Sequence, residues 1–284
     1  MGLCWGARDI EEAPDRTAGV YVRNHQELPL LFYQAALPLS SSTLRYVAGV
    51  VRVHRKRAGV RWRRLDCRDQ ALMTLAYLRK GETYADLAEG FGVSTATVFR
   101  RVNETVDVLA ARTPGLPQAL RRHRRRGGRV VIVDGTLVKT DRVAADRPFY
   151  SGKHKCHGVN LQAVTDLDGN VLWVSGAMRG AIHDTAAARI WMIPRHIADA
   201  GLIGLADKGY HALGPDTILT PHKGTSLTAV RKASNRAHAR LRSLGERAFA
   251  QLKKWRILTR LRCSPHRATN ITRAIQALNT HQTG

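Results

Sequence analysis

The chain has 284 residues, 44% of them hydrophobic, enough to bury a core and to build about two domains of ordinary size. Its 46 Lys and Arg against 22 Asp and Glu leave a formal charge of +24, a self-repulsion that a polyanionic partner would relieve. Composition excludes two classes: the longest mainly apolar run, Leu28 to Leu39, is too short for a bilayer and holds Pro29 and Pro38, and Cys4, Cys67, Cys156 and Cys263 form no CxxC pair of a zinc site or disulfide framework.

Residues 1–28 lack sustained periodicity and read as a disordered tail. Asp9, Glu11, Glu12 and Asp15 stand where a secretory signal would be basic and then apolar, so the chain is expected to stay in the cytoplasm. Residues 29–112 read as a helical domain. Ser41 or Ser42 can cap a first helix carrying Leu44, Val47, Ala48 and Val51, and a second helical pattern runs from about Asp66 to Lys80. From Tyr84 to Val108 come a short helix, a turn through Gly90-Phe91-Gly92-Val93 and a helix capped by Ser94. That order is a helix-turn-helix signature, although an ordinary helical hairpin would look the same. The second helix would bury Val98, Val102, Val106 and Leu109 and leave Thr95, Thr97, Arg100 and Arg101 free for base edges and phosphates.

Thr113-Pro114-Gly115-Leu116-Pro117 breaks the pattern, and residues 113–128, with Arg121 to Arg126 interrupted only by His123, read as a basic linker. Residues 129–284 change texture to short apolar runs at Val130–Val133, Val159–Val164, Val171–Val174 and Leu202–Ala206, expected to be strands. Helices are expected from Asp184 to Ala200 and from Asn235 to Trp255. The fold class is therefore α/β, a mixed-sheet domain preceded by an all-α domain.

Asp134 follows Val-Val-Ile-Val and Asp207 follows Leu-Ile-Gly-Leu-Ala, so each carboxylate is expected at the end of a buried strand, emerging at a sheet edge. Glu246 lies on the last long helix, whose stripe Ala237, Leu241, Leu244, Ala248, Leu252 and Trp255 should face the sheet. Arg242, Glu246 and Lys253 share a face of that helix, within about 40° of one another. A surface ion pair between Arg242 and Glu246 is the plain alternative, worth only a few tenths of a kcal/mol. Against it stands Gly245, which costs a helix interior roughly 1 kcal/mol relative to Ala and calls for a reason such as close backbone approach. Two strand-end aspartates and a helical glutamate form an oxygen-only set suited to two Mg2+ or Mn2+ ions, which can activate a nucleophile and stabilise the leaving oxygen of a phosphodiester.

The stretches Val-Asp-Gly-Thr (133 to 136), Arg-Pro-Phe-Tyr-Ser-Gly-Lys-His (147 to 154), His-Gly-Val-Asn (157 to 160), Ala-Asp-Lys-Gly-Tyr (206 to 210) and Gly-Glu-Arg-Ala-Phe-Ala-Gln-Leu-Lys-Lys-Trp-Arg (245 to 256) resemble the bacterial insertion-sequence transposases of the insertion-sequence-five group, related to the Harbinger-type DDE superfamily. The resemblance implies a ribonuclease-H-like core with a metal-binding triad of Asp134, Asp207 and Glu246. The family signature Tyr-x2-Arg-x3-Glu-x6-Lys is met at Arg242, Glu246 and Lys253, while its tyrosine position is Ala239. Lys139, Lys153, His154 and Lys155 are candidate phosphate contacts, and Asp184 either supports the metal site or, as the favoured reading, caps the helix that follows it. The implied partners are double-stranded DNA, as element terminal inverted repeats and target, and further copies of the chain in a homodimer or larger synaptic complex. A DNA-binding regulator without catalysis and a nuclease without strand transfer are the competing readings.

Overall fold

A computed structural model describes residues 37–60, 63–141, 147–214 and 216–283. The expected tail, residues 1–28, lies outside them. Four helices open the described chain: α1 (Ser41–Arg57), α2 (Cys67–Lys80), α3 (Tyr84–Gly90) and α4 (Thr95–Ala110). Side-chain caps set their starts. Ser40, not Ser41 or Ser42, caps α1; Asp66 caps α2, Thr83 and Asp86 form a capping box on α3, and Ser94 caps α4. Gly92 takes φ +60° in the turn between α3 and α4, and Val98, Val102, Val106 and Leu109 are buried as the pattern requires.

A polar clamp fastens these helices. The Glu104 carboxylate on α4 accepts from Arg63 at 2.5 Å, Arg101 at 3.0 Å and Gln70 at 3.1 Å, and His54 Nε2 lies 3.2 Å away. Burial works against the charge of Glu104, but the hydrogen bonds from Arg63, Arg101 and Gln70 outweigh it and hold the carboxyl at about 2.

Residues 113–128 are not a plain linker. They contain α5 (Leu116–Arg125), whose Leu116, Ala119 and Leu120 enter a core beside the sheet while its arginines face outward. Pro117 causes no break because it sits in the first turn, where a missing N–H costs nothing.

The sheet contains β1 (Val130–Thr140), β2 (Tyr150–Ser151), β3 (Cys156–Thr165), β4 (Val171–Val174), β5 (Met178–Arg179), β6 (Ile203–Leu205), β7 (Ile218–Leu219) and β8 (Arg260–Leu261). β1 is central, antiparallel to β3 on one edge and parallel to β6 on the other, with β4 beyond β3 and β7 beyond β6. This is the mixed order of a ribonuclease-H-like core. The single helix expected from Asp184 to Ala200 is two, α6 (Asp184–Ile190) and α7 (Ile193–Asp199). Met192 breaks it in the left-handed region at φ +51°, and Pro194 in the new first turn could not have donated to residue 190.

Two long helices finish the chain, α8 (Ala229–Lys253) and α9 (Pro265–Thr283). α9 packs on α4: Ile271, Ile275 and Leu278 share one core with Val102, Val106 and Leu109, and Arg267 and Asn270 both bond Asp107. The helical region and the sheet region therefore share an interior.

The Glu104 clamp gives a signed test. Its carboxyl sits at about 2 against an ordinary 4.5, so its contribution is complete above pH 4.5 and is lost as pH falls towards 2. Urea denaturation of Glu104→Gln at pH 7 should show a loss on the order of 2 kcal/mol, shrinking to nothing near the acid limit.

Candidate active site and nucleic-acid interface

The pairing of β1 with β6 runs through Val130, Val131 and Ile132 opposite Ile203, Gly204 and Leu205, and then ends. Two residues further along the same register stand Asp134 and Asp207. β8 joins β1 only at Lys139 and Thr140, so no described strand covers that edge of β1 in between. Asp134 therefore does not terminate a strand, as expected from its sequence; it lies inside an eleven-residue one and emerges because its neighbour stops. Asp207 lies two residues past the end of β6 and caps a 3-10 turn, Lys208–Leu213, its Oδ1 accepting from the Gly209 N–H at 2.8 Å.

Burial pushes the Asp134 carboxyl up, and the charges of Asp207 and Asp184 push it further; the Gly135 N–H and Arg242 pull it back without cancelling the rise. Asp134 thus carries its charge against burial and, to a lesser degree, against like neighbours, a condition that a bound cation would relieve. Arg242 Nη2 lies 3.9 Å from Asp134 Oδ2.

Arg242 arrives because α8 crosses β1 with little between them. A Cβ on Gly245 would lie 2.9 Å from Ile132 Cγ2, so the glycine is required by close approach. Glu246, the next residue, is exposed. Among the described residues no three His, Cys, Asp or Glu side chains converge as a metal-binding group, so the structure brings Asp134 and Asp207 together without closing the set with Glu246. The apolar stripe of α8 also needs correcting: Gly245, Ala248, Phe249 and Leu252 are buried, but Ala237 and Leu241 are exposed. The crossing point lies about 24 Å from the start of the helix, and the first half reaches the edge strand β7 through His238 Nε2, 3.1 Å from the Leu219 carbonyl, while its apolar side chains stay exposed. Lys232, Arg236, Arg240 and Arg247 fall within about 80° on the side of α8 away from the core, all exposed.

Asp184 does not cap α6, whose N-cap is His183. Its Oδ1 instead accepts from Asn160 Nδ2 at 2.8 Å and Gln162 Nε2 at 3.2 Å. Gln162 Oε1 accepts from the Tyr210 hydroxyl at 2.6 Å. Asn160 and Tyr210 stand in two of the stretches that carry the family resemblance, but the sequence assigns no task to either of them or to Gln162. The available signal was two amides, two residues apart, in an otherwise apolar strand.

The other candidates are scattered. Lys139 and Lys253 are exposed, and Lys153 Nζ stands 3.6 Å from Asp184. On α4, Thr95 and Arg100 are exposed, Thr97 Oγ1 meets Ser94 Oγ at 2.9 Å, and Arg101 is engaged by Glu104. Phe99 on the same helix is 53% exposed, its ring edge-on to Tyr84 at 5.6 Å.

A family model described as DDE superfamily endonuclease matches residues 133–279, and a model of the helix-turn-helix of DDE superfamily endonuclease matches residues 63–115. A Streptomyces albus G protein described as a transposase for insertion sequence element IS112 is 31% identical over 201 residues, covering 68% of this chain and 72% of that protein. No solved structure matches the chain.

The electrostatics of Asp134 predict a stability change of known sign. Because its folded carboxyl is raised, the ionised form burdens the fold at neutral pH, and the burden is relieved as pH falls through the raised value. In metal-free buffer Asp134→Asn should melt above wild type at pH 7, and calorimetry should show the gap closing on acidification.

Proposed function

We propose that this chain, which belongs to the DDE superfamily endonucleases and within them to the bacterial insertion-sequence transposases, binds the terminal inverted repeats of its element and cuts and joins DNA there. The observation that carries this reading is the pair Asp134 and Asp207, held level where β6 leaves β1. Asp134, Asp207 and Glu246 would hold two Mg2+ or Mn2+ ions. Their oxygen donors suit those cations, and the crowding of Asp134 by like charge favours occupancy. When bound, such ions supply activation of an attacking water or 3′-hydroxyl and neutralisation of the leaving oxygen.

The protein's own residues do the rest. Gly245 keeps α8 against β1, so that Arg242 meets Asp134. Thr95, Thr97 and Arg100 on α4 face outward for base and phosphate contacts, whereas Arg101 serves the interior clamp first. Lys139, Arg242 and Lys253 hold DNA near the carboxylates, and the outward stripe on α8 tracks backbone phosphates. Two element ends have to be held together, so the working form is a dimer or larger synaptic complex, acting on nucleoid DNA.

Labelled DNA carrying the element's terminal repeats, incubated with Mg2+, tests the reading. Wild type should cleave and join, and Asp134→Asn, Asp207→Asn or Glu246→Gln should each lower product by at least about a thousandfold. Cleavage without joining would make the protein a nuclease; tight binding with no product from any form would make it a DNA-binding regulator. Replacing Lys232, Arg236 and Arg240 with Ala should flatten the log-affinity against log-salt slope by roughly 2 to 3. An unchanged slope would leave that stripe a solvated face.

A further inference from the structure

The carboxylate of Asp207 rides on a short 3-10 turn, and a turn of six residues has few internal bonds to hold it in place. Outside bonds strap it down. The Tyr210 hydroxyl donates to Gln162 Oε1 at 2.6 Å, Thr185 Oγ1 donates to the Gly209 carbonyl at 2.5 Å, and Arg189 Nη2 donates to the Ala212 carbonyl at 2.8 Å. The first strap lies in the interior: Gln162 is 0% exposed, Tyr210 1% and Asn160 6%.

The chemistry of these groups leaves one arrangement. An ionised Asp184 only accepts, so the amide nitrogens of Gln162 and Asn160 both turn towards it. Gln162 Nε2 also donates to Asn160 Oδ1 at 2.8 Å, which leaves Oε1 as the group facing Tyr210. The phenol therefore donates, and burial together with the charges of Asp184, Asp134 and Asp207 keeps its proton on by pushing its pKa up. Gly135, the residue after Asp134, makes room: a Cβ there would lie 2.3 Å from Asp184 Oδ1 and 2.7 Å from Gln162 Nε2. One directed network thus touches the strand of Asp134, the start of α6 and the turn of Asp207.

We infer that Tyr210 and Gln162 are positioning residues for the Asp207 carboxylate, fixing its direction from behind through the turn that carries it. The inference rests on the carboxylate reading above. Groups that orient a metal-binding carboxylate typically change metal affinity by about 10- to 100-fold when removed.

The experiment is a calorimetric titration of the full chain with Mn2+ in the absence of DNA, repeated as the Mn2+ dependence of cleavage. Tyr210→Phe removes one oxygen, and Thr185→Val removes a second strap from a half-buried site where folding is not at risk. Each should move the Mn2+ midpoint upward, Tyr210→Phe by at least about tenfold. A role in stability alone would lower the fraction of protein that binds and leave the midpoint in place. Midpoints within twofold of wild type in both variants overturn the inference, and so does a loss of binding sites with no shift. Asp207→Asn separates the two readings: if it binds Mn2+ like wild type, the carboxylate reading itself fails, whereas lost binding there with unmoved midpoints in the other variants removes only the positioning role.

Discussion

The parallel pairing of β1 with β6 stops at Ile132 and Leu205, and the placing of the Asp134 carboxylate beside Asp207 depends on that stop. In a strand paired on both edges, every side chain has same-face neighbours on either side. When one neighbour leaves, the edge opens while the other neighbour, β3, keeps the backbone rigid through its continuing ladder from Ile132 to Lys139. Asp134 is thus presented by a fully structured strand and not by a loop. Open α/β sheets place ligand sites where strands end and connections diverge, and the same physical reason applies here.

The arrangement carries an electrostatic cost that the surroundings only partly offset. Burial first, and then the charges of Asp207 and Asp184, push the Asp134 carboxyl up, and the Gly135 N–H and Arg242 compensate incompletely. The amides of Asn160 and Gln162 meet Asp184 with neutral donors, which steady a carboxylate without cancelling its charge. A protein of net charge +24 had ample cations to neutralise the cluster. Its basic groups lie instead on outward faces of α5 and α8, where they can meet phosphates.

The second constraint is mechanical. Two successive segments match separate family models, yet α9 from the second packs along α4 from the first in one core. The exposed face of α4 is therefore held at a set orientation to the sheet, with Asp107 bonded across the junction to Arg267 and Asn270. Coupling between α4 and the Asp134 and Asp207 carboxylates needs no hinge in such a body, because the position of one fixes that of the other.

Local signals carried much of this into the sequence. Capping residues and apolar periodicity placed α2, α3 and α4 almost to the residue, and four apolar runs marked β1, β3, β4 and β6. Asp134, Asp207 and the close approach at Gly245 were legible because burial patterns and glycine cost are properties of single segments. What sequence could not decide was where segments meet. It ended β1 at Asp134, since polarity at one residue looks like a strand end until a partner strand is seen to continue beside it. It let the whole of α8 face the sheet, since periodicity does not report how far the sheet extends. It made Asp184 a cap and Arg101 free, since each role is set by a partner remote in the chain: Asn160 and Gln162 for one, and for the other a Glu104 shared with Gln70 and Arg63. The sequence by itself determined the elements, the charge and the candidate carboxylates; the tertiary structure alone decided which side chains share a site, because hydrogen bonds and Coulomb forces act over ångströms of space and not along the chain.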